Sequence, residues 1–86
     1  MSEDAFQAAA KRVKGLSKSP SNTELLKLYA LYKQGSAGDA TGKRPSAFKI
    51  KDRAKFDAWA AVKSTSKEDA QSQYISLVDE LASRLG

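Results

Sequence analysis

The feature that most restricts this chain is an absence: among its 86 residues there is no cysteine and no histidine. A domain of this length buries only about 60 to 65% of the surface its unfolded form exposes, and the usual staples of small scaffolds, disulfides and bound metal, are out of reach. The fold must therefore come from apolar packing around one core, in a single domain over residues 1–86. The same absence excludes zinc fingers, thiol redox centres, cysteine nucleophiles and histidine-based triads within the chain, and no metal site is expected. The size excludes an enzyme with a separate cofactor lobe. The start, Met1-Ser2-Glu3-Asp4-Ala5, is acidic and matches neither a signal peptide nor an Arg-rich transit peptide. No apolar run reaches membrane-spanning length, so the expected location is cytoplasmic.

Four helices and no strand are predicted, giving an all-α bundle. The first covers about Glu3 to Leu16, with Phe6, Ala9, Ala10, Val13 and Leu16 on one face, Ser2 as N-cap and Ser17-Lys18-Ser19-Pro20 as its stop. The second opens on Ser21-Asn22-Thr23-Glu24, a capping-box pattern, and is expected to end at Gln34 before Gly35. The third spans roughly Lys51 to Lys63. The fourth starts at Ser66, with Asp69 three residues on, and lines up Ala70, Tyr74, Leu77, Val78, Leu81 and Leu85. Gly35 to Ile50 forms a long connection, a length that often carries function.

Charge is uneven along the chain. Lys11 to Lys67 holds 14 basic residues against Glu24, Asp39, Asp52 and Asp57, whereas residues 1–10 and 68–86 are net acidic. An anionic partner is expected to meet the middle of the chain. The second helix is unusual there, because Leu25, Leu26, Leu28, Tyr29, Leu31 and Tyr32 occupy more than half of its circumference, against the roughly 100° stripe of an ordinary amphipathic helix. Part of that arc has to face something other than the core. Tyr29, Tyr32 and Lys33 stand at i, i+3 and i+4, so two phenols and an ammonium share a patch suited to a nucleobase and a phosphate. The same three residues would equally serve as two core tyrosines beside a solvated lysine. Tyr29 and Lys33 also fit Tyr-x-x-x-Lys, a dehydrogenase spacing, but the Gly-rich nucleotide turn that chemistry needs is missing.

A second basic element is Lys49-Ile50-Lys51-Asp52-Arg53-Ala54-Lys55, in which Lys51 and Lys55 fall one turn apart, after a loop carrying Lys43 and Arg44. Phe56 and Trp59 are expected in the core or under that loop. Tyr74 reads as core and Lys14 as a solvated stem when each is taken alone.

Together, Leu28-Tyr29-Ala30-Leu31-Tyr32-Lys33-Gln34, Gly38-Asp39, Arg44-Pro45, Lys55-Phe56-Asp57-Ala58-Trp59 and Ser66-Lys67-Glu68-Asp69-Ala70, followed by Tyr74, closely resemble the acyl-CoA-binding protein family from Phe6 to Leu81. The resemblance implies a four-helix bundle of up-down-down-up topology holding one medium- or long-chain acyl-CoA as ligand, with no cofactor and no catalysis. It implies that Tyr29, Lys33 and Lys55 hold the ribose 3′-phosphate, Tyr32 flanks the adenine and Tyr74 contacts the nucleotide. Lys14 and Lys51 match further ligand positions, and Leu25, Leu26 and the 29–33 segment, with Ala30 and Leu31, border the acyl groove. Phe6, Val13, Leu16, Ile75, Val78 and Leu81 match the seam between the first and last helices. Phe56 stands where the family often has a second tryptophan, and Ala47-Phe48-Lys49-Ile50 departs from the common loop sequence. The implied protein is a monomeric intracellular acyl-CoA carrier and pool former, with passing contacts to enzymes or membranes and none to nucleic acid. Charge alone would also permit a basic helical nucleic-acid-binding domain, recognisable by a steep salt dependence. An enzyme acting on the thioester lacks any activated nucleophile or general-base pair.

Overall fold

A computed structural model describes residues 3–86 and contains four helices, α1 (Glu3–Lys14), α2 (Asn22–Ala37), α3 (Ile50–Ala61) and α4 (Lys67–Leu85). Ser2, the expected cap of α1, lies outside the described residues. The other two caps form as their sequences dictate. Ser21 Oγ accepts from the Glu24 amide at 3.2 Å while Glu24 Oε1 accepts from the Ser21 amide at 2.9 Å, and Ser66 Oγ accepts from the Asp69 amide at 3.0 Å. Each satisfies amides that the first helical turn leaves without carbonyl partners.

Three helix ends differ from expectation, and the simplest is α3, which closes at Ala61 and not at Lys63. Helix α1 closes at Lys14, where the Gly15 amide turns back to the Arg12 carbonyl at 3.0 Å. Leu16 still packs on the core from the following turn. Helix α2 runs through Gly35 and stops three residues later at Gly38, whose φ of 87° is a left-handed value that glycine adopts freely. Gly35 serves a different need, because a Cβ there would lie 2.9 Å from Gln71 Cγ and 3.0 Å from Phe6 Cζ. It is glycine so that α1 and α4 can close on α2.

Helix directions follow from end-to-end contacts. Glu3 and Gln71 meet at one end of α1 and α4, and the Lys18 amide donates to the Leu85 carbonyl beyond the other, so these two run parallel. Gln71 donates to the Gly35 carbonyl and Arg84 pairs with Glu24, so α2 runs opposite to α4. Trp59 Nε1 donates to the Gly38 carbonyl at 2.8 Å, which puts the ends of α2 and α3 together and makes them parallel. The order is up-down-down-up, with the 38–49 connection making the long return.

Phe6 and Ala9 of α1, Leu28 and Leu31 of α2 and Tyr74, Val78 and Leu81 of α4 form the buried core. Val13, Leu16 and Ile75 flank it, so the expected α1–α4 seam is present. Phe6 is its centre, stacked on Tyr32 at 5.1 Å and meeting Tyr74 edge-on at 5.3 Å between ring centroids. Helix α1 lies on α4, α4 on α2 and α2 on α3. Helix α3 has no buried residue. With α4 and α3 each covering part of α2, some of its apolar arc stays open to solvent, and Leu25 is 46% exposed. Among the described residues no helix is long and apolar enough to cross a membrane.

Candidate functional site

The open arc of α2 borders two adjoining clefts. The first, of about 390 Å³ between α2 and α3, is lined by Asn22, Leu25, Leu26 and Tyr29 from one helix and Ile50, Lys51, Ala54 and Lys55 from the other. Its floor is apolar and its rim carries two ammonium groups. The second, of about 430 Å³, opens between α1 and α2 and is lined by Gln7, Ala10, Lys11, Val13 and Lys14 with Leu28, Tyr29, Tyr32 and Tyr74. Tyr29 belongs to both and is the ridge between them.

Two lysines are laid across the α2–α3 seam in opposite directions. Lys33 of α2 places Nζ 4.9 Å from the ring centroid of Trp59 on α3, and Lys55 of α3 places Nζ 5.5 Å from the ring of Tyr29 on α2. Each pair contributes about 0.5 to 1 kcal/mol at an exposed site. The larger consequence is orientation, since two flexible cations are held on one side of the molecule before any anion arrives.

The loop that delivers α3 is clasped at three points. Arg44 grips Asp57 with two hydrogen bonds of 2.8 and 2.7 Å, a fork geometry that fixes direction as well as distance. These bonds from Arg44 hold the Asp57 carboxyl below its ordinary pKa. Buried Gln34 donates to Asp39 at 2.8 Å and to the Thr65 carbonyl at 2.7 Å, and Asp39 also accepts from the Ser64 amide at 2.8 Å. The Gln34 bond first, then the Ser64 amide, hold Asp39 low. Gly38-Asp39, Arg44 and Trp59 are thus fasteners of the wall, with Trp59 under the loop as expected.

Of the residues expected at the site, Leu25, Leu26, Tyr29, Lys51 and Lys55 meet in the α2–α3 cleft, and Lys14, Tyr29, Tyr32 and Tyr74 in its neighbour. Lys33 lines neither and lies one turn beyond Tyr29, over Trp59. Ala30 and Leu31 are buried, at 2% and 1% exposed, Leu31 in the core, and neither lines either of these two clefts. A heptapeptide on one helix must turn some residues inward, and these two fall on the covered side. Tyr74 is both core and wall. Burial, then its neighbour Tyr32, pushes its phenol pKa up, so it stays neutral and usable as a donor.

Asn22, Ile50 and Ala54 were not anticipated. The signal was in the sequence, because Ile50 and Ala54 stand one turn apart as the apolar positions of a segment otherwise filled by Lys51, Asp52, Arg53 and Lys55. Among the described residues no cluster of acidic side chains could hold a metal ion.

Comparison with known proteins adds an independent line. A family model described as "Acyl CoA binding protein" matches residues 3–78. Acyl-CoA-binding protein homolog 1 of Caenorhabditis elegans is 51% identical over 82 residues, 95% of this chain and 95% of the relative. The acyl-CoA-binding protein of Dictyostelium discoideum is 49% identical over 79 residues, 92% of this chain and 94% of the relative. Among solved structures, Oryza sativa acyl-CoA-binding protein 2 superposes with a TM-score of 0.91 at 43% identity, covering 95% of this chain and 89% of that one.

Proposed function

The chain belongs to the acyl-CoA-binding protein family, and from that premise we propose how its two clefts divide one ligand between them. The protein binds acyl-CoA and acts as a carrier, not an enzyme. An acyl-CoA ester has an apolar tail and a polyanionic nucleotide head bearing a 3′-phosphate, so its carrier needs an apolar trough beside a basic and aromatic platform. The single observation that carries the assignment is Tyr29, which walls both clefts. On its α3 side the apolar floor of Leu25, Leu26, Ile50 and Ala54 receives a medium- or long-chain acyl tail. Around it Lys33, Lys55 and the Tyr29 hydroxyl take the 3′-phosphate, Tyr32 and Tyr74 border the nucleotide, and Lys14 and Lys51 supply outer contacts.

Tail and head reinforce each other physically. The tail gains roughly 0.8 kcal/mol per buried methylene, and the phosphate gains charge-assisted bonds that strengthen as the tail excludes water. The thioester is thereby kept from membranes and hydrolases while remaining chemically intact. The carrier works as a monomer in the cytoplasm, where a chain without cysteine suits a reducing medium, and it meets acyl-CoA-using enzymes in passing. A nucleic-acid role has no finding behind it, and the charge that suggested it surrounds an apolar cleft.

Titration calorimetry with CoA, a long-chain acyl-CoA and the free fatty acid tests the division. One ester per chain, bound far more tightly than either part alone, is the expected result. Equal affinity for CoA and its ester would remove the acyl trough.

A further inference from the structure

The connection between α1 and α2 carries three serines, and two of them are already engaged. Ser17 Oγ donates to the Gly86 carbonyl at 3.3 Å, and Ser21 Oγ accepts from the Glu24 amide as the cap of α2. Ser19 is exposed and, among the described residues, makes no hydrogen bond. It also stands directly before Pro20, whereas Pro45, the other proline of the chain, follows Arg44. A residue before proline is kept out of helical geometry and held extended, and the proline presents a fixed φ and no N–H. The segment is anchored just upstream, where the Lys18 amide donates to the Leu85 carbonyl at 3.1 Å. An extended Ser-Pro step with a free hydroxyl is the shape taken by a protein kinase whose pocket for the following residue asks for no backbone N–H.

The surroundings say what a phosphate there would do. Ser19 and Pro20 line a hollow of about 340 Å³ together with Lys14 and Lys18, over an apolar floor that includes Leu16 and Leu25. Both lysines are exposed and, among the described residues, neither forms an ion pair. Lys14 is shared, since it also lines the cleft of Tyr29, Tyr32 and Tyr74. A phosphoserine carries a charge of about −1.5 to −2 at pH 7 and three acceptor oxygens. Placed on Ser19, it would compete with the bound nucleotide for Lys14.

We infer that Ser19 is a phosphorylation site for a proline-directed serine kinase, and that its phosphate draws Lys14 away from the nucleotide cleft and lowers acyl-CoA affinity. In the transfer, the Ser19 oxygen attacks the γ-phosphorus of kinase-bound ATP and the bond from that phosphorus to the bridging oxygen breaks. ADP leaves with the electron pair, and the hydroxyl proton passes to a base of the kinase. The effect on the ligand rests on the function proposed above, whereas the modification does not. Ser19 and Lys14 lie outside the buried core, so the modified carrier releases its cargo more readily while its fold stays intact.

Incubation of the full chain with ATP, magnesium and a purified proline-directed serine kinase, read by intact-mass and fragment-ion spectrometry, tests the site. The wild type should gain one phosphoryl group on Ser19, and Ser19→Ala and Pro20→Ala should gain none. Calorimetry at low salt should then show the phosphorylated chain binding a long-chain acyl-CoA about three- to tenfold more weakly than the unmodified chain. That gap should close in Lys14→Ala, as a double-mutant cycle requires of two groups that act through each other. The inference is overturned by absence of uptake, by uptake that persists in Ser19→Ala, by equal affinity of the two forms, or by an undiminished gap in Lys14→Ala. If the unmodified chain bound no acyl-CoA while Ser19 was still phosphorylated, the proposed ligand division would fall and the modification site would stand.

Discussion

A methyl group placed at position 35 is the smallest change that tests how the bundle closes. In Gly35→Ala the new Cβ would sit 2.9 Å from Gln71 Cγ, 3.0 Å from Phe6 Cζ and 3.4 Å from the Gln71 backbone nitrogen. Neither side chain is free to retreat. Gln71 is tethered by its 2.8 Å bond to the Gly35 carbonyl, and Phe6 is fully buried against Tyr32 and Tyr74. Overpacking of this kind costs about 1 to 3 kcal/mol, and yielding Gln71 would forfeit a bond worth about 1 kcal/mol. Alanine recovers about 0.8 to 1.0 kcal/mol of helix propensity in return. With overpacking at mid-range, the balance is a loss of about 1 kcal/mol if the Gln71 bond survives and about 2 kcal/mol if it yields, or a fall in Tm of about 4 to 16 °C for a domain of this size. Urea unfolding followed by helical circular dichroism measures it directly. Phe6→Leu, which withdraws the ring atom 3.0 Å from the methyl, should make the double variant less unstable than the sum of the two singles. A Gly35→Ala protein as stable as wild type would refute the close approach of α1 and α4 to α2 at this point.

The phosphate assignment predicts that removing the ligand's 3′-phosphate weakens binding at least about tenfold, and that Lys33→Ala and Lys55→Ala each shrink that discrimination; calorimetry showing it intact in both would move the phosphate elsewhere. Trp59 is the sole tryptophan and lies under Lys33, so its emission should change on titration with acyl-CoA, and an unresponsive spectrum would detach Lys33 from the ligand. Acid should destabilise the fold in one window. Glu24, Asp39 and Asp57 are all held below their ordinary values by their hydrogen-bond donors, so their contribution is complete above about pH 5 and is lost as pH falls through the lowered values. Urea midpoints should stay flat from about pH 5 to 7, since no histidine titrates there, and a decline inside that range would contradict this. Hydrogen exchange should be fastest in α3 without ligand and slow markedly with acyl-CoA, because the element has no buried residue of its own; an α3 already as protected as α4 would count against it.

What could be read from sequence were the features that a single helix carries by itself. Phe6, Ala9, Val78 and Leu81 announce their faces by spacing, and Ser21 with Glu24 or Ser66 with Asp69 announces a helix start within four residues. Features that need a second element were not legible. Gly35 looks like a stop until Gln71 and Phe6, 36 and 29 positions away, are seen against it. Ala30 and Leu31 share a motif with Tyr29 and Tyr32, and which of the four turn inward depends on where α4 lies. Arg44 reads as one more base of the loop until Asp57 is found in its fork.

The placement of α3 outside the core divides the chain by what each part has to satisfy. Helices α1, α2 and α4 supply every member of the buried cluster, so a change there is judged first by whether the protein folds. Helix α3 packs on α2 alone among the helices, and a change there is judged by what the cleft will hold. Drift in one part therefore need not be matched in the other. A library randomised at Ile50, Lys51 and Ala54 should yield mostly folded proteins with differing cargo preference, whereas one of equal size at Phe6, Leu31 and Val78 should yield few folded proteins at all. Such a chain can change its ligand over generations without renegotiating its fold.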